Sequence, residues 1–208
     1  MLFRSIPSRQ TEKQEAFLYN YDMIGNQMVN AGALHQMLKP YKAHLITGHT
    51  HYNLNVVFDE NLMEHNTAAV CGTWWKADIC LDGTPRGYGI YEVNDNDVKW
   101  YYKSSGYPKE HQFRSYPVGA SKEHPSDIIA NVWNWDKLWK VEWLEDGQLM
   151  GNMTRYTGLD PYASVVCSDR EKMVYTWITP RPTQHMFRAT PKNKDAHITV
   201  KVTDRSEE

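Results

Sequence analysis

From Tyr88 onward, apolar residues recur at every second position in short runs bounded by turn residues, and that period limits what the chain can fold into. Successive side chains of a strand point to opposite faces, so runs of this kind read as strands with one buried face. Residues 88–93 and 98–102 flank Asn94-Asp95-Asn96-Asp97 and predict a hairpin, with Val98, Trp100 and Tyr102 on one face. Residues 128–133 form a further apolar strand. Trp139, Val141 and Trp143 alternate with Lys140 and Glu142, and Glu145-Asp146-Gly147-Gln148 then supplies an Asp-Gly turn. Ile198, Val200 and Val202 repeat the pattern near the end. Short strands at this spacing predict a β-sandwich of immunoglobulin-like type. Beyond Met63 no helical period is legible.

The first sixty residues read differently. Met28, Ala31, Leu34 and Leu38 recur at three- and four-residue steps and predict a helix over 27–38, stopped at Lys39-Pro40. A buried strand is expected over 43–46, ending at Thr47-Gly48, and another over 52–58 before an Asp59-Glu60-Asn61 turn. Helix, stop, buried strand and polar loop make an α/β unit, in which ligands sit beyond the carboxyl end of the strand. The expected class is therefore α+β and mostly β. A short α/β fragment (1–62) precedes a β-rich region (63–208), with a linker-like stretch at 119–126.

Charge and composition exclude several functions. A formal net charge of −2, with no basic run, gives no footprint for nucleic acid or an anionic membrane. No apolar stretch is long enough to span a bilayer, and charged residues from Arg4 to Glu15 interrupt any leader at the start of the sequence. The compartment therefore depends on the parent: periplasmic or secreted if a leader precedes this sequence, cytoplasmic otherwise. Three cysteines leave either a Cys71–Cys80 bridge or three thiols, of which the thiols are expected. Eight Trp and thirteen Tyr suit both sheet cores and ligand clefts.

Chemistry concentrates in Ile46-Thr47-Gly48-His49-Thr50-His51. If the segment is extended, His49 and His51 project to one side with Cα atoms about 6.5–7 Å apart. Two imidazoles so placed can converge on two metal ions about 3.5–4 Å apart. Gly48 lets the backbone turn before the first of them. Nine histidines make a chance His-x-His pair common, so the complete string after a buried strand carries the weight.

Gly48-His49-Thr50-His51 resembles the last motif, Gly-His-x-His, of calcineurin-like metallophosphoesterases. The segments Glu64-His65-Asn66, Cys71-Gly72-Thr73-Trp74-Trp75 and Asp82-Gly83-Thr84-Pro85-Arg86-Gly87-Tyr88 resemble the C-terminal domain of bacterial, Bacteroides-type members. So do residues 135–147 and the closing Val200-Lys201-Val202-Thr203-Asp204-Arg205. The resemblance implies hydrolysis of a phosphomonoester or phosphodiester, with His49 and His51 each binding a different divalent ion (Mn, Fe or Zn). It also implies an upstream catalytic half of the same protein as partner. The family's other motifs are missing: no Gly-Asp dipeptide occurs, and Gly25-Asn26 and Gly151-Asn152 lack a following His. Asp195-Ala196-His197 matches Asp-x-His in letters alone, and Ser5-Ile6-Pro7 stands where the family has His-x-Pro. Two imidazoles supply no negative charge to offset two dications. The chain alone is thus expected to hold no metal tightly and to hydrolyse nothing.

Trp74 and Trp75, with Asp82 meeting polar groups and His65 reaching the same cleft, are candidate walls of a substrate site. Core tryptophans, a turn and a structural histidine are the simpler readings. Trp133, Trp135, Trp139 and Trp143 offer either a sandwich core or a stacking platform. The platform belongs to the alternative function, a non-catalytic sandwich that binds glycan or protein.

Overall fold

The computed structural model describes residues 2–3, 6–8, 28, 30–193 and 195–204. Its first sheet has the order β1-β2-β4-β3, from β1 (Leu2–Phe3), β2 (Ala43–Thr47), β3 (Leu54–Val57) and β4 (Leu62–Asn66). Strands β1, β2 and β4 run parallel, and β3 is antiparallel to β4. Helix α1 (Ala31–Leu38) covers one face, where Leu34 and Leu38 pack on Ala43, Leu45 and Leu62. It begins at Ala31 rather than at 27, and residues 27 and 29 lie outside the described residues. Lys39 caps it just before Pro40, where the ring would clash with a continuing helix.

The other face of this sheet carries polar side chains. His44 of β2 and His65 of β4 are joined by a 2.9 Å Nδ1···Nε2 contact. Both pack against Trp100 of the hairpin formed by β5 (Gly87–Asn94) and β6 (Asp97–Ser104). β4 pairs with both β2 and β3, so the sheet of the N-terminal fragment runs on to Asn66, past residue 62.

The β-rich region is a four-on-three sandwich. One sheet has the order β11-β12-β8-β7 and the other β10-β9-β13. These are β7 (Arg114–Tyr116), β8 (Ile128–Asn131), β9 (Lys140–Glu145), β10 (Gln148–Asn152), β11 (Thr154–Gly158), β12 (Thr183–Ala189) and β13 (Ile198–Thr203). Crossing between sheets from β8 to β9, β10 to β11 and β12 to β13 gives the antiparallel sandwich of the expected kind. Its core joins Ile128, Ala130 and Phe187 of one sheet to Val141 and Trp143 of the other. Trp139 and Trp143 are buried there, Trp133 is fully buried in a second cluster, and Trp135 is half-buried, so these rings form core rather than platform. The stretch 119–126 links β7 to β8, which pair in one sheet.

Helix α2 (Pro161–Ser168) interrupts the sandwich between β11 and β12, contrary to the expectation of no helix beyond Met63. Eight residues are too few to show a period, yet Asp160 and Pro161 are an N-cap and first-turn pair. The Asp160 carboxylate accepts from the Ala163 N–H at 2.8 Å. All three cysteines are free thiols, Cys71 half-buried and the other two buried.

Candidate functional site

Three parallel strands end at one edge of the first sheet, and residues 48–52 leave that edge from β2. The Asn66 amide, at the end of β4, pins the loop by donating to Thr50 Oγ1 at 2.7 Å and to the Tyr52 carbonyl at 2.9 Å. The loop is not extended. His49 has φ 78° and His51 φ 56°, both left-handed, so the alternation of a strand does not set their directions. Gly48 itself has no positive φ, and a Cβ there would make only an ordinary 3.8 Å contact with the Thr67 carbonyl, so the left-handed turns after β2 fall on the histidines and not on the glycine. His49 is exposed and His51 half-buried.

Trp74 (φ 48°) and Trp75 (φ 64°) are also left-handed. Among the described residues six non-glycines have positive φ, and the other two, Asp95 and Asp146, occupy hairpin turns. Such backbone costs on the order of 1–3 kcal/mol per residue and persists where its surroundings over-determine it, often at functional sites. Of the remaining four, His51 and Trp74 are in contact, and His49 and Trp75 are near them in sequence. The His51 ring stacks on Trp74 with centroids 4.6 Å apart, and its Nδ1 lies 3.3 Å from the Gly72 carbonyl. Cys71 Sγ lies 3.7 Å from the same nitrogen.

The turn carrying Trp74 is tightly bound. Thr73 donates to the Ile79 carbonyl through N at 2.8 Å and Oγ1 at 2.7 Å, and Trp75 N donates to the Cys71 carbonyl at 2.7 Å. Gly72 has φ 52°, and a Cβ there would lie 2.8 Å from the Ile79 carbonyl oxygen. Only glycine fits. Trp177 meets Trp74 edge-on at 4.8 Å and stacks with Tyr175 at 5.6 Å. Trp75 is 70% exposed and Trp177 56%. The segment displaying Tyr175 and Trp177 is anchored by Met173 and Ile178, both fully buried beside Leu81 and Cys167. Tyr175 and Trp177 stand in the apolar run Met173-Val174-Tyr175-Thr176-Trp177-Ile178, which carries no sign of which side chains face outward.

Asp82 and His65 sit elsewhere. Asp82 is 1% exposed, and its carboxylate accepts from Asn53 N at 2.9 Å and from Thr84 Oγ1 at 2.7 Å. His185 Nε2 stands 3.3 Å from the same oxygen. His65 lies inside the first sheet between His44, Asn55 and Trp100. The structure thus brings His51 and Trp74 together and leaves His49 and Trp75 exposed, while Asp82 and His65 are internal. Beside the loop, a cleft of about 250 Å³ is lined by Tyr52, Asn53, Arg181 and Gln184 among others. Burial pushes the Tyr52 phenol up to about 12, against the Thr50 hydrogen bond and the Arg181 charge, so it stays protonated. Asp195-Ala196-His197 lies at the surface, where His197 N donates to Asp146 Oδ1 at 2.8 Å. Among the described residues no three His, Cys, Asp or Glu side chains converge as a metal-holding group, nor is any helix long and apolar enough to cross a membrane.

Residues 64–208 match the family model described as the C terminal of calcineurin-like phosphoesterase. The chain belongs to that family. No curated protein and no solved structure matches it. The calcineurin-like phosphoesterase match takes in Trp74 and Asn66, which contact the histidine loop, while His49 and His51 lie before it. The matched region and the loop are therefore one structural unit.

Proposed function

We propose that this chain is the C-terminal portion of a metal-dependent phosphoesterase that cleaves a phosphomonoester or phosphodiester. His49 and His51 each reach a different divalent ion, Mn, Fe or Zn, in a centre completed by an upstream catalytic half of the same protein. The observation carrying this reading is the left-handed backbone at His49 and His51 where their loop leaves the carboxyl end of β2, with left-handed Trp74 stacked on His51, at the edge where α/β sheets place ligands. The donor set fits one side of such a centre: two imidazoles on one loop, with the Gly72 carbonyl beside His51 as an outer partner. It lacks the carboxylates that two neighbouring dications need, so the chain alone holds metal weakly and turns nothing over. When bound, the ions supply an activated water and charge stabilisation at phosphorus.

Trp74 and Trp75, now with Trp177 and Tyr175, form an aromatic rim suited to a ring on the alcohol side of the ester. The alternative, a glycan- or protein-binding sandwich without catalysis, loses the Trp133–Trp143 rings to the core, and of the exposed tryptophans Trp74 stacks on His51 and Trp177 meets Trp74 edge-on. Turnover of p-nitrophenyl phosphate and its diester with Mn²⁺ or Zn²⁺ tests the reading, for this chain and for the chain joined to the sequence encoded upstream. No turnover is expected from the first. The second should turn over and lose at least a hundredfold with His49→Ala or His51→Ala, on the order expected when a metal ligand is removed from a catalytic centre. Activity of the short chain, or an inactive joined protein with metal bound elsewhere, contradicts it.

A further inference from the structure

We infer that the turn Cys71–Trp75 is a positioning device for His51: the Gly72 carbonyl fixes the imidazole as its Nδ1–H tautomer, and Trp74 holds the ring plane, so that Nε2 presents its lone pair outward. This rests on the metal reading above and assigns a role in it to the β-rich region.

A carbonyl oxygen only accepts, so a contact of 3.3 Å to Nδ1 is a hydrogen bond only if Nδ1 carries the proton. The Cys71 thiol, 3.7 Å away, can donate or accept and does not decide the tautomer. Metal-binding histidines commonly donate their second nitrogen to a carbonyl or carboxylate in this way. The turn is also built to keep that carbonyl in place. Gly72 N donates to the Ala69 carbonyl at 2.9 Å, and a side chain at 72 would meet the Ala77 and Ile79 carbonyls. Trp74 lies 27° from parallel to the imidazole, and Trp177 braces its edge. The left-handed backbone at Trp74, otherwise an unexplained cost, is what accompanies the ring's placement against His51.

Long-range ¹H–¹⁵N correlation of the metal-free chain at pH 8 reads the tautomer, with His51→Gln for assignment and exposed His197 as comparator. His51 should show a protonated Nδ1 and a pyridine-type Nε2. Trp74→Leu should lower the Nδ1–H fraction and broaden the ring signals, and Trp74→Phe should restore both. Zinc titration in the Cys71→Ala protein should shift Nε2, with an affinity about tenfold weaker in Trp74→Leu. An Nε2–H tautomer in the native chain, or no effect of Trp74→Leu on the ring, overturns the inference while leaving metal binding intact. An Nδ1–H tautomer that does not respond to millimolar zinc instead sinks the metal reading, and with it the purpose assigned to the turn.

Discussion

Gly83 shows how one residue can decide whether a buried centre forms. Its φ of 83° favours glycine, and a Cβ there would collide with the Asp160 carboxylate. That carboxylate is already taken by Asn131 Nδ2 at 2.8 Å and the Tyr116 hydroxyl at 2.7 Å, so it has nowhere to move. Gly83→Ala should therefore cost about 3 kcal/mol or more, from backbone strain and overlap together. Gly106 has the same sign of φ (84°) with open space around it, and Gly106→Ala should cost only about 1 kcal/mol. Urea midpoints of the two variants compare them directly, and equal losses would contradict this account. The sequence string Asp-Gly-Thr-Pro suggests a turn at 82–85. It does not say that Asp160, far along the chain, fills the space a side chain would need.

Elements show the same division between local and distant causes. Period-two runs mark β6, β9 and β13, because one face of each is more buried than the other. No such period marks β12. In Thr183–Ala189 the run Thr-Gln-His-Met-Phe-Arg-Ala hides its alternation, since His185 is buried by its contacts with Asn131 and Asp82. Helix α2 depends on its cap. Asp160→Ala removes the bond to Ala163 N and orphans the partners at Asn131 and Tyr116, for an expected loss of about 3 kcal/mol or more. Thermal unfolding checks this, with Asp160→Asn expected to recover part of the loss.

At the start of β8, Asp127 accepts from Thr190 Oγ1 at 2.5 Å and from Arg188 Nη1 at 2.8 Å. Burial raises its pKa, but these hydrogen bonds, with the charges of Arg188 and His124, outweigh that and hold the carboxyl below its ordinary value. A lowered folded value contributes stability at pH above the unfolded value near 4, lost as pH falls through the lower folded value. The urea midpoint should thus drop as pH falls below about 4. Asp127→Asn should be less stable at pH 6 and show a shallower acid decline.

At the scale of the molecule, buried polar bonds tie the first sheet to the sandwich. Asn53 Nδ2 donates to the Trp133 carbonyl at 2.5 Å, and Asn55 Nδ2 to the Asn134 carbonyl at 2.8 Å. Asp82 receives Asn53 N from one side and faces His185 of β12 on the other. The chain should unfold in one cooperative step, with circular dichroism and tryptophan fluorescence giving the same midpoint. Asn53→Ala should cost about 2 kcal/mol of stability, because the buried Trp133 carbonyl loses its donor and the Ala68 N–H its acceptor, while the backbone bond to Asp82 stays. Separate transitions for the two regions would argue against this coupling. The division after residue 62 followed a change in periodicity. β4 lies across that change and belongs to the first sheet, since parallel pairing with β2 is a relation between segments that neither records alone.

By itself the sequence determined the mostly-β character, the alternating strands, and the loop where two histidines follow a buried strand, because these depend on periods and motifs a few residues long. Only the tertiary structure decided that Asp82 and His65 are internal and that Trp74 and Trp177 reach the surface beside His51. Those outcomes turn on which distant groups claim each hydrogen bond or cover each ring, and chain neighbours carry no record of that.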